Sequence, residues 1–268
     1  MTITIFRASI FAFLASSTLV HAGPLQPHRA VYDVELETAT ERSGISAMRG
    51  RMVYEFRGAE CEGYTTNFRF VTQITSRGTS RVTDQQTTTF EAGDGSSFRF
   101  VTKTFVDDVA DRSTEGSAQR TDEAVIVELD EPEEGTMELS PALFPTAHLL
   151  NLLERAEAGE RFYEQPIFDG SDEASQVMTT SVVVSSERQA DADDAEAALD
   201  AVMLENPYRN VSVAYFNAED RSGEGVPEYR IGFKMLNNGI TRDLELDYGD
   251  FILGGTLTEL ELLPNSDC

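Results

Sequence analysis

Apolar side chains recur at every second position over much of this chain, and that period restricts the fold more than any other feature. In YTTNFRFVTQI, Tyr64, Phe68, Phe70 and Ile74 fall on one face and Thr65, Asn67, Arg69 and Gln73 on the other. EYRIGFKM sets Tyr229, Ile231, Phe233 and Met235 against Glu228, Arg230 and Lys234. GITRDLELDY sets Ile240, Leu244, Leu246 and Tyr248 against Thr241, Asp243, Glu245 and Asp247. A period of two puts alternate side chains on opposite faces of a pleated strand. One wet face per strand belongs to antiparallel sheets.

Further strands are expected over 30–38, 49–56, 80–90, 97–106, 124–129, 176–185, 210–216 and 251–263. NNG at 237–239 and GDG at 93–95 supply the positive-φ residues that hairpin turns need. So many strands in succession point to a mainly β fold, one large curved antiparallel sheet or partly open barrel. A single helix interrupts them, in FPTAHLLNLLERAEAGE: Pro145 suits a first turn, Leu149, Leu152, Leu153 and Ala156 recur at helical spacing, and Gly159 suits a left-handed cap. A sheet curved around this helix would bury its apolar stripe, so the helix is expected at the centre, plugging or lining the concave side. DADDAEAALDAVMLEN is either a second, weaker helix or a solvated loop. No break in composition marks a second domain.

The first 22 residues, MTITIFRASIFAFLASSTLVHA, carry Arg7, an apolar run from Ala8 to Val20, and Val20 and Ala22 at the −3 and −1 spacing of a secretory cleavage site. Residues 1–22 therefore read as a signal peptide, 23–268 as a single mature domain, and the compartment as the periplasm. No later stretch is apolar enough to span a bilayer. The formal charge of −26 becomes −27 once Arg7 leaves with the leader. So acidic a chain lacks the basic footprint that nucleic acid requires and is disfavoured at anionic lipid surfaces. Its acidity fits solubility.

Export gives the two cysteines a meaning, because a disulfide persists in an oxidising compartment. Cys61 and Cys268 form one intramolecular bridge on this reading; two free thiols or an intermolecular link are the alternatives. A bridge would hold down a last residue that otherwise frays.

With the leader gone, only His28 and His148 remain as bases, no serine sits in a GxSxG elbow, and a histidine on an apolar helix is more often packed than catalytic. Paired carboxylates abound among 47 acids and so carry no specificity for glycosidase chemistry. Clustered His and Cys for zinc are lacking. The acidic stretches DGSDE (169–173) and DADDAE (191–196) offer oxygen ligands but do not match an EF-hand loop, and solvated loops are the expectation. No enzyme activity, catalytic residue, metal or cofactor is expected.

PHRAVYDVELE, GRMVYEF followed by CEGYTTNFRFVT, the helix opening FPTAH, and NNGITRDLELDYGDFILGGTLTELELLP with a final cysteine together resemble the EipB-type cell-envelope integrity family of alphaproteobacteria. The resemblance runs from about residue 24 to 268 and is weakest over 190–206. It implies a periplasmic β-spiral broadly similar to the lipoprotein carriers LolA and LolB, an internal disulfide through Cys61 and Cys268, no established catalysis, and a part in envelope integrity through contacts with envelope proteins or lipids. An alternative is a lipid or lipoprotein-acyl carrier, with Leu149, Leu152 and Leu153 lining an apolar cavity.

Overall fold

The computed structural model describes residues 25–171, 174–191, 193–217 and 225–266. Eight strands come first: β1 (His28–Ala39), β2 (Ile45–Ala59), β3 (Gly63–Ser76), β4 (Thr79–Glu91), β5 (Ser97–Val106), β6 (Val109–Arg120), β7 (Val125–Glu131) and β8 (Gly135–Leu139). Helix α1 (Pro145–Glu157) follows. The chain then forms β9 (Phe162–Ile167), β10 (Met178–Val184), a short helix α2 (Ala201–Glu205), β11 (Tyr208–Asn217), β12 (Tyr229–Leu236), β13 (Thr241–Asp247) and β14 (Phe251–Leu262).

All fourteen strands share one sheet, in the order β8-β7-β6-β5-β4-β3-β2-β1-β14-β13-β12-β11-β10-β9. Two antiparallel meanders are thus stitched together by the pairing of β1 with β14, which carries Val34 opposite Gly255 and Ala30 opposite Leu260. The two edges of the sheet approach each other. Leu143, just past β8, bridges Ile167 of β9; its N–H donates to the Pro166 carbonyl at 3.1 Å and its own carbonyl accepts from Phe168 N–H at 2.9 Å. A chain leaving one edge strand can run beside the other only if the sheet curls round. Strands β8 and β9 themselves do not pair, so the barrel stays open.

Helix α1 occupies the inside of the curl. Leu152, Leu153 and Ala156 are buried against Phe56 of β2, Tyr64 of β3, Tyr163 of β9, Val182 and Val184 of β10, Val211 and Val213 of β11, and Met235 of β12. Contacts to strands from both meanders place the helix at the centre, as its apolar stripe predicts. Pro145 stands in its first turn and Gly159, at φ 86, follows its last residues in the left-handed region. A second cluster, with Phe98, Phe100, Phe144 and Phe168 at its heart, fills the space under β5 to β7. A third lies between β1, β13 and β14, where Ala197 and Met203 are fully buried beneath the sheet. The helical part of the acidic segment is confined to Ala201–Glu205, preceded by a 3₁₀ turn at Ala197–Leu199, and Asp200 caps it by accepting from Val202 N–H at 2.9 Å.

Strand 97–106 is found with the bounds expected, and most of the others lengthen by a few residues. Three strands escape the alternation. The buried face of β6 is Thr114, Gly116 and Ala118, too small and polar to register as apolar. Strand β8 has five residues. Strand β9 contains Pro166, which an edge strand tolerates because its missing N–H can face away from the ladder.

Candidate functional site

The concave surface that faces the N-terminal half of α1 is not filled by core side chains. A hollow of about 480 Å³ opens there, walled by β2 to β6, the start of α1 and the loop at Asp169–Ser171. The strand registers show how its wall is built. Thr87, Thr102 and Thr114 stand in direct cross-strand line on β4, β5 and β6; Thr66 lies opposite Thr89 on β3 and β4; Gln85, Thr104 and Arg112 form the next row. Six threonines from four neighbouring strands thus point inward. Tyr54, Phe56, Phe68 and Leu149 supply the apolar part of the lining.

The hydroxyls are only partly engaged. Thr87 and Thr102 share one hydrogen bond of 3.0 Å, and Thr66 bonds the Tyr54 hydroxyl. Thr89, Thr104 and Thr114 make no side-chain hydrogen bond among the described residues, although Thr114 is buried. A hydroxyl offers one donor and two acceptor positions, so most of the wall's capacity faces the hollow. Among the described residues its charged members are one cation, Arg112, and one anion, Asp169.

Two long-range contacts hold α1 over this space. The N-cap position is Phe144, whose side chain has no acceptor, and the orphan N–H groups of the first turn are met from β4 instead: Glu91 Oε2 accepts from Thr146 N–H at 2.7 Å and Oε1 from Ala147 N–H at 2.8 Å. Burial pushes the Glu91 carboxyl up from its ordinary value, and the two backbone donors pull it part of the way back. At the next residue, His148 Nε2 lies 2.9 Å from Thr180 Oγ1, while the Thr180 hydroxyl donates to the Gln165 carbonyl at 2.6 Å. Thr180 is therefore the acceptor, and His148 Nε2 carries its proton in the neutral form.

Burial lowers the His148 pKa from 6.5 to about 4. The unfolded chain takes the proton first as pH falls, so the stability this neutral histidine confers is complete above 6.5 and drains away toward 4. His148→Gln keeps a donor near Thr180 without titrating. The stability advantage of the wild type over H148Q is expected to shrink by about 2 kcal/mol between pH 7.5 and pH 5. Urea denaturation of both proteins at the two pH values reads this out; a constant difference would place the ring in water.

A second polar cluster corrects an expectation. Asp194 and Glu196, read from sequence as part of a solvated acidic loop, are folded onto the sheet: Arg242, with no exposed side-chain surface, donates through Nη1 to Asp194 at 2.6 Å and lies 3.9 Å from Glu196. The Glu196 carboxylate also accepts from the N–H groups of Leu257 and Asp243, each at a register irregularity of its strand. A cation wholly out of water needs counter-charges, and the acidic segment supplies them. Of the other acidic stretch, Asp172 and Glu173 lie outside the described residues.

The expected cavity leucines separate. Leu149 lines the hollow, whereas Leu152 and Leu153 pack in the core with strands of both meanders. Cys61 lies in the turn between β2 and β3, and Cys268 lies outside the described residues. Strands β2 and β14 both pair antiparallel with β1, so they run the same way, and His28 stands opposite both Phe56 and Leu262. Cys61 is five positions beyond Phe56, and Cys268 six beyond Leu262. The threonine wall was missed in the sequence, although one signal was present: TDQQTTTF on β4 has no apolar face over 83–89.

Fold and hollow define a class, open barrel-like antiparallel sheets wrapped round a helix with a pocket of mixed hydroxyl and aromatic lining left on the concave side. The chain belongs to the EipB-like family, whose model matches residues 20–264. It is 47% identical over 260 residues to the cell envelope integrity protein EipB of Brucella abortus strain 2308, covering 97% of this chain and 91% of that one. A crystal structure from Brucella abortus, described as a β-barrel-like protein of a domain of unknown function, is 46% identical and superposes with a TM-score of 0.87 over 90% of this chain and 99% of the other. No helix among the described residues is long and apolar enough to cross a membrane.

Proposed function

We propose that this protein is exported to the periplasm, supports the integrity of the cell envelope, and does so by binding in its concave hollow rather than by turnover. The observation that carries the proposal is the 47% identity, along nearly the whole of both chains, to a protein named for cell envelope integrity. The leader-like first 22 residues support export. The chemistry of the hollow supports binding: its wall sets a cluster of threonine hydroxyls beside aromatic rings, while His148 is tied to Thr180 and His28 to the Gln26 carbonyl at 2.7 Å. The mature chain is read as one domain closed by a Cys61–Cys268 disulfide, and the level placement of β2 and β14 supports that pairing.

An acyl carrier would want an apolar wall, and six threonines weigh against it. The test is replacement of EipB in Brucella abortus by this chain with its own first 22 residues. Restored survival in detergent and cell-wall antibiotics is expected of a strain that loses it with EipB. Wild-type amounts of protein with no gain in survival would sink the proposal.

A further inference from the structure

From the make-up of the wall we infer that the hollow is a binding site for a short, neutral oligosaccharide. The inference rests on the proposed binding role and names the chemical class of what is bound. Its starting point is a departure from what a buried strand face needs. Valine has nearly the shape of threonine and forms strands as readily, so strand propensity does not explain why Thr87, Thr102 and Thr114, aligned across three strands, all carry hydroxyls. On the same sheet face one row away, Phe100 belongs to the packed core and Gly116, opposite it, is buried against its ring. Gly170, at φ 74, brings the loop after β9 against the Phe100 ring, where a Cβ would come within 2.8 Å, and so closes that end of the space. The hollow begins where core packing stops.

Its contents follow from elementary chemistry. An alkyl chain laid along this wall would strip water from hydroxyls and return no hydrogen bond, which is unfavourable at each position. An anion would meet one cation, Arg112, on a wall that also carries Asp169 within a strongly acidic protein. A sugar offers the partners these side chains lack, hydroxyls that donate and accept in turn against Thr87, Thr102 and Thr114, and flat C–H faces that suit the Phe68 and Tyr54 rings. The volume of about 480 Å³ falls among small-molecule sites, which span about 300–1,000 Å³.

The test uses the exported full chain, with N,N′-diacetylchitobiose, cellobiose and maltotriose as probes and palmitate as the contrasting one, followed by NMR titration. At least one of the three sugars is expected to bind with a Kd below about 10 mM. The T87V/T102V/T114V variant removes three hydroxyls while keeping side-chain shape, and should weaken that sugar by about tenfold or more while its thermal midpoint stays close to that of the wild type. Should the triple variant lose structure, the single T114V change, with a smaller loss of sugar affinity, gives the same readout. Palmitate binding in place of all three sugars would overturn the assignment, as would no binding by any probe, or sugar binding unmoved by the valines. Sugar binding is separable from survival in the Brucella replacement: a chain that restores survival yet ignores every sugar loses this inference and keeps the envelope role, and the reverse result does the opposite.

Discussion

Replacing Cys61 with serine is expected to lower the stability of the exported protein by about 5 kcal/mol, the chain-entropy estimate for opening a loop this long. The register is the reason to expect it. Phe56 and Leu262 stand level on strands that run the same way, one strand, β1, between them. Strands lie about 4.8 Å apart, so the two are separated by about 10 Å. Leu263 is held at this end of the sheet, its N–H donating to the Pro27 carbonyl at 2.8 Å and its carbonyl accepting from Gln26 Nε2 at 3.0 Å. The five residues from there to Cys268 reach about 17 Å when extended, enough to cross to the β2–β3 turn. Denaturation of the wild type with and without reductant, beside C61S, measures the loss. Equal stability in all three, or alkylation of both thiols in unreduced protein, would remove the bridge from the account.

Replacing Glu91 with alanine is expected to cost about 3 kcal/mol. Two backbone N–H groups at the start of α1, that of Thr146 buried and that of Ala147 half-buried, would lose their acceptors, and the side chain at the N-cap, the ring of Phe144, offers none. Glu91→Gln keeps one acceptor and should cost about half as much. The same substitution frees the end of the helix that carries Pro145, Thr146 and Leu149, all part of the hollow's lining, so E91A should also weaken whatever the hollow binds. Urea denaturation of E91A and E91Q gives the ranking; an E91A protein as stable as the wild type would mean the helix is held by its packing alone.

Why the strands were legible and the site was not has one physical cause. Alternation reports a face that is apolar against a face that is wet, and β3, β12 and β13 have such faces. Where the inward face is itself polar, the pattern loses its apolar stripe: β4 shows none over 83–89 and β6 escapes detection altogether, and that is where the hollow lies. The central helix was legible down to Pro145 and Gly159 because its stripe and its ends are local features. Its cap was not, because Glu91 comes from 55 positions upstream. The acidic segment misled for the same reason: nothing near Asp194 in sequence shows that Arg242, 48 positions on, is buried and takes its counter-charges from this segment.

The claim on which the functional account turns is that envelope protection is exerted through the hydroxyl wall of the hollow. The most direct measurement is survival in detergent of a Brucella abortus strain in which EipB is replaced by this chain or by its T87V/T102V/T114V variant, each exported to the same level. The account predicts that the unaltered chain restores survival and the triple valine variant does not. Full restoration by the variant would contradict it.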